Sequence, residues 1–209
     1  IRKLLGHRFT DPGREITSLS GVLTVGTVQH TVQIVRTQSD SGESVAVNGT
    51  GPALTWAPTQ GAITNSGSSS APATGADRAM TERLVLDTAD GFITAQLRGA
   101  SYCTVASNAA PPGMPDDYTG PAWSLVRVAE PTGASQAQAE SPARLYFINT
   151  TTGLIDRVIS QEAGQTVTAE LTAWTAVNGE TMPAHITWSI NGQVVMDFAV
   201  TTYAFSAAH

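Results

Sequence analysis

The sequence predicts a mainly β protein of the α+β class, an antiparallel sheet whose apolar face is covered by one or two helices. Three observations predict it. From Ala143 onward, five strand-like runs follow one another through short joints that each contain glycine. Within these runs apolar and polar residues alternate with a period of two, so the sheet has an oily face and a wetted face. Outside them, residues 77–97 are the one strongly helical stretch. That stretch and a short N-terminal segment are the only internal covers for the oily face.

Taken in order, residues 1–9, IRKLLGHRF, read as the end of a helix, stopped by Asp11-Pro12-Gly13. GVLTV (21–25) and TVQHTVQIVRT (27–37) flank Gly26 and form a hairpin, with Val28, His30, Val32 and Ile34 on one face. ESVAVNG (43–49) and PALTWAP (52–58) are two further strands. The Gly-, Ser- and Pro-rich segment 58–76 is a polar loop. In DRAMTERLVLDTADGFITAQL (77–97), Asp77 caps the first turn and Gly91 bends or splits the helix; Phe92, Ile93 and Leu97 form an apolar stripe. YCTVA (102–106) and AWSLVRVAE (122–130) are strands, separated by a proline-rich loop at 107–121. A second loop covers 131–142.

The five late runs are RLYFIN (144–149), LIDRVIS (154–160), TVTAELTAWTA (166–176), AHITWSI (184–190) and VVMDFAVTTYAF (194–205). Two of their joints contain Asn-Gly, a strong hairpin signal, and joints this short force antiparallel pairing. Ile186, Trp188 and Ile190 share one face, as do Met196, Phe198 and Val200, and Val167, Ala169, Leu171 and Ala173. His185, Thr187 and Ser189 take the wetted side. All 209 residues are read as a single domain.

Composition narrows the function classes. A net charge of -6 argues against a nucleic-acid partner, and no apolar run is long enough to span a membrane. The single cysteine rules out an internal disulfide. Abundant Thr, Ser, Gly and Ala with only 13% charged residues fit an exported bacterial protein. A chain that begins at Ile1 without Met fits either removal of a signal peptide or a trimmed N-terminus.

Chemistry-bearing motifs are few. The four histidines show no metal-ligand spacing, and no cofactor motif is present. His185 reads as a solvated surface residue and Cys103 as a small core residue. Asp116 and Asp117 form an acidic pair in a loop, with too few oxygens for calcium. Asp87 and Asp90 lie three apart and read as solvated acids on the helix surface. Trp56, Trp123, Trp174 and Trp188 all fall in strands, where they pack a core or line an apolar cavity.

The stretch LYFINTTTGLIDRVIS…AELTAWTAVNGETMPAHITWSINGQ resembles the C-terminal half of the LolA-like periplasmic lipoprotein-carrier superfamily. The resemblance rests on Phe147, Thr152-Gly153-Leu154, Arg157, Val177, Gly179, Pro183 and Ile186 and spans about a third of the chain. It implies that the sheet curves into a partly open half-barrel with the helices against its concave face. It further implies a non-enzymatic periplasmic protein that takes a lipid or lipoprotein acyl chain, or another apolar molecule, between sheet and helices. Trp188, Ile186, Met196, Phe198, Phe147 and Leu171 are the expected lining. No position is assigned the role of the carriers' cavity arginine. Two alternatives compete with this reading: a β-sandwich interaction module with a filled core and a protein partner, and a hydrolase using Asp116, Asp117 or a histidine.

Overall fold

The computed structural model describes residues 15–39, 42–49, 54–57, 62–65, 75–110, 119–130, 143–177 and 179–207. The expected N-terminal helix end, the 131–142 loop, and Asp116 and Asp117 lie outside these residues. The strands are β1 (Glu15–Val25), β2 (Val28–Ser39), β3 (Gly42–Asn48), β4 (Leu54–Ala57), β5 (Ala62–Asn65), β6 (Ser101–Ala109), β7 (Trp123–Ala129), β8 (Ala143–Asn149), β9 (Ile155–Glu162), β10 (Gln165–Val177), β11 (Glu180–Ile190) and β12 (Gln193–Ala207). Between β5 and β6 come helix α1 (Gly75–Leu86), helix α2 (Ala89–Ile93) and a 3-10 turn at Thr94–Arg98. None of the described helices is long and apolar enough to cross a membrane.

All the described strands belong to one 12-stranded sheet, ordered β5-β4-β3-β2-β1-β12-β11-β10-β9-β8-β7-β6, and every neighbouring pair is antiparallel. The sheet is thus two meanders, β1–β5 and β6–β12, joined where the first strand pairs with the last. The chain leaves at one edge, β5, and re-enters at the other, β6. The helices lie on that crossing and cover the apolar face of a curved half-barrel that is not closed. Among the described residues one sheet with a helical cover stands where a β-sandwich would need two stacked sheets.

The late strands form where the alternation places them. The β8–β9 turn is organised by Asn149, whose side-chain oxygen accepts from the backbone N–H groups of Thr151 and Thr152 at 2.9 and 3.1 Å. Gly153 closes this turn with φ 75°, a backbone conformation open to glycine at no steric cost.

Several expectations need correction. A strand, β5, forms within the segment read as a loop at 58–76. Cys103 is exposed on edge strand β6 instead of buried. Asp87 and Asp90 are buried under the helices instead of solvated. Ala173 is exposed, because its φ of 52° interrupts the alternation and hands the inner face to half-buried Trp174. Helix α1 begins at Gly75, so Asp77 sits within its first turn, where a carboxylate favours the helix dipole.

The helical stretch breaks at Asp87-Thr88, one turn before Gly91. Thr88 is extended (φ -132°, ψ 168°) and caps α2 by accepting from the Gly91 N–H at 2.9 Å. Gly91 serves a different purpose: a Cβ there would lie 2.3 Å from the Leu86 carbonyl oxygen. Gly91→Ala is therefore expected to destabilise the fold by about 1–3 kcal/mol, as overpacking does. Urea denaturation measures this, and an unchanged midpoint would mean that the two helices are not folded this tightly on one another.

Candidate functional site

The concave face carries a continuous apolar row. Leu171 on β10 pairs with Ile186 on β11, which pairs with Phe198 on β12, which in turn pairs with Leu23 on β1. One step along, Ala169, Trp188 and Met196 repeat the arrangement. All of these side chains are buried. Gly21 makes room for the row, since a Cβ there would lie 2.7 Å from the Phe198 ring. Five of the six expected lining residues thus share one surface. Phe147 is buried on the other side of the sheet. Its neighbours Tyr146 and Ile148 belong to the concave core, while its ring meets Trp123 edge-on at 6.3 Å.

The cover is held at its break. The C-terminal carbonyls of a helix have no partners within the helix, and here the sheet supplies them. Arg36 on β2 donates from Nη2 to the Val85 carbonyl at 2.8 Å and from Nη1 to Thr94 Oγ1 at 3.0 Å. Tyr146 on β8 donates its hydroxyl to the Leu86 carbonyl at 2.6 Å. Asp87, the residue at the break, accepts from Arg144 Nε on β8 at 2.6 Å and from Trp188 Nε1 on β11 at 3.3 Å. Tyr102 on β6 reaches the Phe92 carbonyl at 2.8 Å, and Arg83 on α1 pairs with Glu162 on β9. Strands from both meanders therefore converge on one short helical break.

The electrostatics of the break are those of a buried pair. Arg144 and Asp87 are 4% and 1% exposed. Burial pushes the Asp87 carboxyl up from its ordinary value, and the Arg144 guanidinium only partly opposes this. Burial acts against the charge on Arg144 as well, but the Asp87 carboxylate outweighs it and holds the guanidinium protonated. Because the folded state retains the Asp87 proton above about pH 4, where the unfolded chain has released it, Asp87's contribution is full below that pH. It is lost as pH rises through the folded value. The stability difference between the native chain and Asp87→Asn is therefore expected to fall with rising pH above about 4. A flat difference would show that Asp87 titrates like a solvated carboxylate.

Two hydroxyls on this side, Thr81 Oγ1 and Ser160 Oγ, are buried without a hydrogen-bond partner. Ser160 lies directly across from Arg144 in the β8–β9 pairing.

The sequence reading missed Asp87, Arg36 and Arg144 as interior residues. The alternation held a signal for both arginines. Arg36 continues the inward row of Val32 and Ile34, and Arg144 has the same parity as Tyr146. Asp87 carried no comparable signal, because its burial depends on a helix break that sequence periodicity does not show.

The convex face is different in kind. His185 Nε2 lies 2.6 Å from Asp197 Oδ1, Thr187 donates to the same carboxylate oxygen at 3.0 Å, and Thr172 Oγ1 is 3.5 Å from His185 Nδ1. His185 is thus paired across β11 and β12, not simply solvated as expected. It and Asp197 are 40% and 38% exposed on the wetted face of the sheet. A cleft of about 300 Å³ elsewhere is lined by Val105, Arg127, Ala143, Arg144, Leu145, Ile159, Ser160 and Gln161. Its lining takes Leu145 and Ile159 from the outward set of β8 and β9, and Arg144 and Ser160 from the inward set. Among the described residues, no three His, Cys, Asp or Glu side chains are grouped to hold a metal.

No protein-family model matches the chain, and no curated protein matches it. Solved structures do. A LolA superfamily protein from Nitrosomonas europaea is 10% identical, with a TM-score of 0.56 over 91% of this chain and 85% of that one. A DUF1329 family protein from Desulfovibrio piger is 9% identical, with a TM-score of 0.56 over 95% and 89%. A protein domain of the outer membrane lipoprotein-sorting type from Vibrio parahaemolyticus is 7% identical, with a TM-score of 0.53 over 93% and 86%. At these identities the likeness is one of fold. The curved sheet, its crossing helices and these three structures agree with the resemblance carried by the β8–β11 residues: the chain has a LolA-like fold.

Proposed function

We propose that this chain is an exported, periplasmic, non-enzymatic protein that binds a lipid or acyl chain between its concave face and its helical cover. One observation carries the reading. The apolar row of Leu171, Ile186, Trp188, Met196 and Phe198 is covered by a short, broken helical segment, and polar side chains clasp that segment at its break. A second sheet would bury the row permanently. A clasped segment can be displaced by a ligand that offers the same row an equivalent apolar surface. Burial of an acyl chain returns about 0.8 kcal/mol per methylene, so a chain of ordinary length can compensate the row for the cover it displaces. The lipoprotein-sorting type of one similar structure supports the ligand class. Phe147 belongs to the opposite face and has no part in this lining.

Native mass spectrometry of the purified protein is expected to show a retained lipid, removable by solvent extraction. A neutral naphthylamine probe is expected to brighten on the extracted protein and to bind differently to Trp188→Ala. A protein that carries no lipid and leaves the probe dark would exclude this function.

A further inference from the structure

Arg144 is buried within the concave face, and among the described residues only its Nε has a hydrogen-bond partner. A guanidinium has five N–H donors in a fixed fork. Arg144 gives one of them, at Nε, to Asp87 Oδ1, and among the described residues its two terminal nitrogens have no hydrogen-bond partner. Asp87 does not meet the fork edge-on, because its second oxygen accepts from Trp188 Nε1 instead. Ser160, opposite Arg144 on β9, presents a buried hydroxyl that also has no partner. Two adjacent strands thus hold a cation and a hydroxyl side by side, next to the apolar row. Among the described residues, the anion bonded to Arg144 comes from the helical cover.

We propose that Arg144 and Ser160 form the seat for an anionic head group on the hydrophobic ligand, and that Asp87 fills this seat in the closed chain. The inference rests on the binding function proposed above and names the chemistry of its ligand: an acyl chain ending in a carboxylate or a phosphate. When the cover moves, Asp87 leaves and takes with it the hydrogen bond it accepts from Arg144. An incoming carboxylate or phosphate restores that bond and can engage the fork bidentately. The Ser160 hydroxyl supplies a further donor. A neutral ligand would leave the guanidinium buried and uncompensated, which disfavours its binding. The head group would sit beside Trp188 while the chain runs along Ile186, Phe198 and Leu171.

The test uses the extracted full chain and displacement of the neutral naphthylamine probe by dodecanoate, dodecyl phosphate and dodecanol, all below their aggregation concentrations. The two anions are expected to bind at least about tenfold more tightly than the alcohol, the gain from one charge-assisted contact. Their order separates a carboxylate from a phosphate ligand. Arg144→Met should remove the preference by weakening anion binding and tightening dodecanol binding, since no guanidinium is left uncompensated. Asp87→Asn should tighten anion binding, because the internal competitor has lost its charge. Ser160→Ala guards against a variant that merely misfolds: its hydroxyl has no partner in the free protein, so the melting temperature should hold or rise while anion affinity drops. Equal binding of anions and alcohol would overturn the head-group seat and leave the carrier function standing, as would a preference that survives Arg144→Met. Failure of all three ligands to displace a bound probe, or of the probe to bind, would overturn both.

Discussion

Asp87→Ala is expected to lower the free energy of unfolding by about 3–5 kcal/mol at neutral pH, the range for removing one partner of a buried ion pair. Several costs combine at this position. Arg144 is left buried with no counter-ion and no hydrogen bond among the described residues. The Trp188 indole N–H loses its acceptor. The α1–α2 break loses the side chain through which two strands grip it. The comparison that isolates the charge is the double substitution Asp87→Leu with Arg144→Met. It removes both desolvation penalties together and is expected to be neutral to stabilising by about 1–4 kcal/mol against the native chain. Urea or guanidinium denaturation measures both. A single variant that loses less than about 1 kcal/mol, the value of an exposed pair, would mean that Arg144 reaches water and that the cover is looser than described.

Trp188→Ala is expected to cost about 3–5 kcal/mol, the usual loss for truncating a large buried aromatic side chain. Trp188 is fully buried, stands between Ala169 and Met196 in the register, and is the largest side chain of the concave core. Its small neighbour Ala169 cannot fill the space left behind. Part of the loss is polar, and Trp188→Phe separates it: the ring remains, the N–H to Asp87 goes, and about 1 kcal/mol of the cost should be that hydrogen bond. A Trp188→Ala variant as stable as the native chain would show that the helices do not close on the row in solution. The two substitutions lie in one contact network through the Asp87–Trp188 hydrogen bond, so the double variant Asp87→Ala with Trp188→Ala is expected to cost less than the sum of the singles.

Most of the framework could be read from residues 143–207, where alternation and Gly-containing joints are local signals. The strand directions, the hairpins and the inward placement of Ile186, Trp188, Met196, Phe198 and Leu171 all follow from period two and short connections. The same rule fails at Ala173, whose positive φ shifts the inner face to Trp174. It also fails at Phe147, because burial on the convex side cannot be told from burial on the concave side by hydrophobicity alone.

An antiparallel sheet with an oily face, the identity of most side chains on that face, and the need for a helical cover were all legible in the chain, because each depends on neighbours a few residues away. Where the helix breaks, and which charges lie inside, emerged with the assembled fold. Asp87 meets Arg144 and Trp188 from positions 57 and 101 residues away along the chain. A charged side chain enters the interior only when such a distant partner is already in place, and no local pattern records that.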